Sequence, residues 1–333
     1  MKNINVNFDK RMELVFGLLY SEHKLSGFGD NSFFNDSIEP YCSEFVEIYK
    51  KHASNELRNY IKNNGFDTYN RIVEIVYSLD DNYNIKQNDY IKNIKLKNKN
   101  FDENKIHKLL INFTNNSDYN NFYNKHYNIL ENIKKNYISI MKKYTQFDGV
   151  DLKEFYGEDK FNINVVLFNF CNGSFGYYNG NDIYNIRNVH NFSEDKSKLE
   201  LGRDNIPNFY HECSHPYMNP LGNKYFKELN IDNVINECKE NGLQTSYYNK
   251  ITIINEYMVR AVQLYFVKKY METDYYERHL NNQKQLGYNH IEEIMNLFER
   301  KNDYYTFEEF YKNEIVNFFI NFNNKKSCKN IIL

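Results

Sequence analysis

Apolar residues recur at three- and four-residue intervals along most of the chain, and this rhythm breaks in one place. Over residues 9–20, 37–63, 72–79, 105–113 and 119–144 the spacing predicts amphipathic helices. Stretches rich in Gly, Asn and Asp at 27–31, 80–88 and 115–118 separate them and carry turn chemistry. Near residue 160 the pattern changes to β-branched and aromatic runs at 163–170, 174–178 and 182–188. Asn179-Gly180 lies between the last two, and Asn-Gly favours the type I′ turn of a β-hairpin. A small antiparallel sheet is therefore expected at about 160–190. After Pro207 the helical period returns at 208–215, 232–240, 247–271, 290–301 and 306–323. Thr306 followed by Glu309 forms a capping-box signature.

These elements predict a mainly α fold with a small antiparallel β-sheet. No internal repeat or Gly/Ser-rich linker divides it. The expected organisation is a helical region over 1–150 and a catalytic region over 151–333, with a soft seam near 150 that also allows one continuous domain. With 333 residues, 41% of them hydrophobic and 31 Tyr and 26 Phe among them, the chain has enough apolar surface to build its own core.

Charge narrows the partners. Lys and Arg number 42 against 44 Asp and Glu, and no basic run is interleaved with stacking aromatics, so nucleic acid is not expected. No stretch approaches the roughly 18 apolar residues of a membrane span, and no signal-peptide core precedes residue 14. A cytoplasmic protein is expected unless a leader has been removed. The five cysteines, Cys42, Cys171, Cys213, Cys238 and Cys328, are widely spaced with no CxxC pair, which argues for reduced thiols rather than disulfides or a thiolate zinc site.

One short segment carries chemistry. His211, Glu212, Cys213, Ser214 and His215 spell HExxH. On a helix the two histidines stand one turn apart on the same face and can share one zinc ion, while Glu212, beside the open coordination position, can serve as general base. Residue counts give roughly 0.02 such matches by chance in a chain of this size. Cys213 is expected to point away from the metal.

Zinc requires a third protein ligand. Position 221 is Leu, which excludes the HExxHxxGxxH form. A carboxylate on a later helix is the alternative, and Glu256 near the start of the helix predicted over 247–271 is the leading candidate. The competing reading makes Glu256 a solvated partner of Arg260 at i+4. Glu237 and Glu240 remain open as other ligands. Pro216, directly after the second histidine, predicts that the helix kinks or ends there. Gly173 to Tyr178 is a possible edge for aligning a substrate. An oxyanion donor stays unassigned among Tyr288, His290 and Arg187, and the remaining histidines, His279 included, have no spacing partner.

The run HECSHPYMNP, followed about forty residues later by NEYMVRAV and preceded near the N-terminus by DKRMEL, resembles a bacterial family of predicted gluzincin metallopeptidases described only as a domain of unknown function. The resemblance implies a zincin-like fold, one zinc per chain held by His211, His215 and Glu256, Glu212 as the catalytic glutamate, and a peptide or protein substrate. Two rivals stay in play: an inactive zincin-like interaction protein, and a zinc hydrolase acting on a non-peptide amide or ester. The segment by which one class of aminopeptidase grips a free amine is not visible, which leans toward an endopeptidase.

Overall fold

The computed structural model describes residues 4–27, 29, 39–64, 69–86, 88–97, 102–145, 147–170, 174–189, 205–229, 231–240 and 249–322. The chain opens with β1 (Asn5–Phe8) and then α1 (Lys10–Ser26), α2 (Tyr41–His52), α3 (Asn55–Asn64), α4 (Tyr69–Tyr77), α5 (Asp89–Lys97), α6 (Glu103–Ser117), α7 (Tyr119–Lys125), α8 (Tyr127–Tyr144) and α9 (Val150–Tyr156). The strands β2 (Asn162–Phe168), β3 (Ser174–Asn179) and β4 (Asp182–Asn188) follow. The last group is α10 (Asn205–Leu229), α11 (Asp232–Glu240), α12 (Lys250–Tyr270), α13 (Thr273–Gln285), α14 (Ile291–Leu297) and α15 (Phe307–Phe310). α15 starts on the Thr306/Glu309 capping box and continues as a π-helical stretch, Tyr311–Val316.

The sheet is mixed rather than antiparallel. Its order is β1-β2-β4-β3, with β1, β2 and β4 parallel and only β3 running against β4. The hairpin forms where the sequence predicts it, but β4 inserts between β2 and β3, and the N-terminal strand joins on the far side. The turn residues are Gly180 and Asn181, and only Gly180 has a positive φ, +57. A type I′ turn needs positive φ at both positions, so the expected turn type is not adopted.

Two helices sandwich this sheet. α1 is buried from Met12 through Glu22. Its Phe16 stacks on Phe168 with ring centroids 4.4 Å apart, and Tyr20 meets Phe170. Asp9 caps α1 by accepting from the Arg11 N–H at 2.9 Å. Glu13, fully buried, accepts from the Asn169 N–H at 2.8 Å and from Asn169 Nδ2 at 3.0 Å, tying α1 to the loop that follows β2. The opposite face of the sheet lies against α10, closest at Gly176 and Glu212.

α10 does not end at Pro216. It runs unbroken for 25 residues and contains both Pro216 and Pro220. Burial on each side of the first proline, at Cys213, Ser214, Tyr217 and Met218, holds the helical path through it. Pro216 has no N–H for the Glu212 carbonyl, which instead faces β3 3.1 Å from where a Cβ on residue 176 would sit. Cys42, Cys213 and Cys238 are buried free thiols, and Cys171 and Cys328 lie outside the described residues. No helix among the described residues is long and apolar enough to cross a membrane.

Candidate metal centre

The site is built where α10 crosses α12. Tyr210 stacks on Phe266 of α12, centroids 3.9 Å apart and planes within 10°. Its hydroxyl donates to buried Asp151 at 2.9 Å, and Asp151 also accepts from Tyr270 and, at 3.0 Å, from Lys269. These contacts lock the residue immediately before His211 to α12. Further along, a Cβ at Gly222 would fall 2.1 Å from the Asn255 side-chain oxygen, so glycine permits the close crossing beside Glu256.

At this crossing one ligand atom each from His211, His215 and Glu256 lies within 4.8 Å of the others. His211 Nε2 is 3.6 Å from Glu256 Oε2, and His215 Nε2 is 3.7 Å from Glu256 Oε1. Two donors bound tetrahedrally at zinc distances are separated by about 3.3 Å, so each imidazole already stands within about half an ångström of that spacing from one Glu256 oxygen. The imidazoles are already oriented for this. His211 Nδ1 donates to Gln263 Oε1 at 3.2 Å and His215 Nδ1 to Asn219 Oδ1 at 3.2 Å, which leaves both Nε2 atoms as acceptors facing Glu256. Burial, reinforced by His215 and Arg260, holds the His211 pKa well below its usual value, so the ring is neutral, the form that ligates metals.

Glu256 sits on one face of α12 with Arg260 and Gln263, at i, i+4 and i+7. Arg260 Nε approaches Glu256 Oε2 at 3.3 Å, an ion-pair distance whose N–H is not aimed for a hydrogen bond. Of the competing reading only the pairing with Arg260 is present: Glu256 is largely buried rather than solvated, and it also faces both histidines. Arg260 also donates to Gln283 Oε1 at 2.9 Å, and Gln263 Nε2 donates to His279 Nε2 at 2.8 Å. His279 and Gln283 are four residues apart on α13, so two rungs tie the metal-facing side of α12 to α13.

Glu212 lies on the β3 side of the cluster, with Oε2 3.9 Å from His215 Nε2. Burial pushes its pKa up to about 7, opposed by His215, Arg187 and the Gly176 backbone N–H and assisted by Glu256. A carboxylate with that pKa both accepts and returns a proton near neutrality. Behind it, buried Arg187 donates to Ser174 and Asn205.

The other sequence candidates fall elsewhere. Glu237 pairs with His290 at 3.0 Å, and His290 also meets Glu293 at 2.9 Å. Tyr288 is buried beneath the Arg260 guanidinium. Sequence reasoning missed Gln263, Asn219, Gln283 and His279, which surround the cluster or line its cavity. Asn219 had a readable signal, since it lies four residues after His215 on the same helix face.

The family model described as Domain of unknown function (DUF4932) matches residues 4–318. No curated protein and no solved structure matches the chain.

Proposed function

We propose that this chain, which belongs to the DUF4932 family, is a zinc-dependent hydrolase of zincin-like, gluzincin type that cleaves peptide bonds. The observation that carries the reading is the convergence of His211 Nε2, His215 Nε2 and the Glu256 carboxylate, with Glu212 beside them. Two imidazoles and one carboxylate are the donor set of a catalytic zinc site that keeps a position open. Zinc bound there would lower the pKa of a water and polarise the scissile carbonyl.

The chain's own residues supply the rest. Gln263 and Asn219 hold the imidazoles in the tautomer that presents Nε2. Glu212 takes the proton from the attacking water and passes it to the leaving amine, which makes it the catalytic residue. β3 supports a peptide substrate in particular. It is the edge strand of the sheet, its outer side faces the cleft, and Gly176 brings its backbone against Glu212. An extended chain can pair along such an edge.

The test is metal content by elemental analysis together with hydrolysis of a broad peptide library. One zinc per chain is expected in the native protein and in Glu212→Gln, with hydrolysis lost in the latter. His211→Ala and Glu256→Ala are expected to lose the metal. Protein that takes up no zinc, or Glu212→Gln that still turns over peptides, would sink the proposal. Turnover restricted to non-peptide amides or esters would refute the substrate class.

A further inference from the structure

The cavity over the metal centre, about 440 Å³, shares lining residues with two others of unlike chemistry. Past Glu212 and His215 lies a space of about 300 Å³ under β3, walled by Tyr178, Tyr177, Phe175 and Pro216. Past Asn208, Gln263 and His279 lies one of about 550 Å³, walled by the α13 residues Arg278, His279, Asn281 and Asn282. The outer two share no lining residue, and each borders the metal-centre cavity through residues of its own.

Each half presents an exposed side chain. Tyr178 is 46% exposed on the edge strand, although most aromatic side chains in this chain are packed away. Its neighbours at this wall are the proline ring and the edges of two more aromatics, so one large apolar side chain would find contact on several sides. In the other half no carboxylate among the described residues lines the cavity. Arg278 is exposed there, lies over the Tyr275 ring at 5.7 Å, and turns its Nε to the Asp274 carbonyl of its own helix at 3.4 Å. It meets no carboxylate among the described residues. A cationic wall lined otherwise by amides, an imidazole, Pro207 and Tyr275 favours an anionic group.

We propose that the substrate is a polypeptide that passes across the metal centre, with a bulky apolar residue against Tyr178 and Pro216 on one side of the scissile bond and an acidic residue facing Arg278 on the other. This rests on the peptidase reading above. A substrate that ends at the metal would fill one half and leave the other in water, so cleavage is internal to the chain.

The experiment uses the zinc-loaded full chain and fluorogenic octapeptides blocked at both ends. Phe or Ser occupies one side of the central bond and Glu or Lys the other, in both sequence orders. One order of the Phe/Glu peptides is expected to show kcat/KM about tenfold or more above its Ser and Lys counterparts. Arg278→Glu should turn the Glu preference into a Lys preference with bound zinc unchanged, and Tyr178→Ser should erase the Phe preference. Binding of the uncleaved Phe/Glu peptide to Glu212→Gln, followed by fluorescence anisotropy, should weaken about tenfold when Arg278→Glu is added. Rates that are flat across the peptides, or a charge preference that survives Arg278→Glu, overturn the proposal and leave the peptidase standing. Failure to cleave any octapeptide or denatured casein overturns the peptidase reading and this inference with it.

Discussion

The buried Glu13 carboxyl gives a stability signature separate from the metal centre. Burial pushes its pKa from 4.5 up to about 7, against the opposing hydrogen bonds from Asn169. Between those two values the folded chain holds a proton that the unfolded chain has released. The unfolded state then binds fewer protons, so stability falls as pH rises through this window. Below about 4.5 the contribution is fully present, and above about 7 the loss levels off. That rise from 4.5 to about 7 corresponds to about 3 kcal/mol. Glu13→Gln has no proton to lose. Its amide nitrogen can meet Asn169 Oδ1, which is buried without a partner, once the Asn169 amide turns over. The protonated carboxyl can make the same bond. Urea unfolding of both proteins from pH 4.5 to 8 should show the variant gaining on the native chain by about 3 kcal/mol across the window. A difference between the two that stays constant with pH would refute the assignment of a buried, proton-holding Glu13.

Three further outcomes are expected. Gln263→Leu removes the acceptor for His211 Nδ1 and should weaken zinc binding about 10- to 100-fold in a chelator competition, and unchanged affinity would show that Gln263 does not orient the ligand. Gly176→Ala places a Cβ 2.9 Å from Glu212 Oε2 and 3.1 Å from its carbonyl oxygen, so zinc content should hold while kcat/KM drops by about tenfold or more. Asp151→Ala strips the partner from the buried Tyr210 hydroxyl and should cost about 2 kcal/mol in denaturant unfolding, with a shift below about 0.5 kcal/mol counting against the role given to this cluster.

Much of the candidate site was legible because its chemistry is local. HExxH needs two imidazoles at i and i+4, and one helix supplies them. The third carboxylate was harder, since its place depends on how α12 crosses α10. That crossing is set by Gly222 and by Tyr210 on Phe266, contacts that no spacing rule announces. α13 escaped notice because its face toward the site is His279 and Gln283, polar residues that pair with α12, so the apolar period is weak where the helix is docked most specifically. β1 went unseen because four residues of N-V-N-F carry little signal and their partners lie about 159 positions away. The parallel β2–β4 pairing is hidden for another reason, since an Asn-Gly turn reports a hairpin but not which strand lies on its other side. Helices expected as single runs over 37–63 and 119–144 are interrupted. Ser54 caps a new helix by accepting from the Leu57 N–H at 3.1 Å, and the second run breaks at His126.

Pro216 and Gly176 bear on the same oxygen, the Glu212 carbonyl, from the two sides of the gap between α10 and β3. The proline deletes the N–H that would have engaged the Glu212 carbonyl, and the missing Cβ of Gly176 lets a strand backbone approach that same oxygen. Restoring the N–H with Pro216→Ala draws the carbonyl back into the helical ladder and away from the strand, easing the crowding that Gly176→Ala creates. In a double-mutant cycle the two changes are therefore non-additive, with a favourable coupling within the roughly 0.5–3 kcal/mol seen for residues in contact.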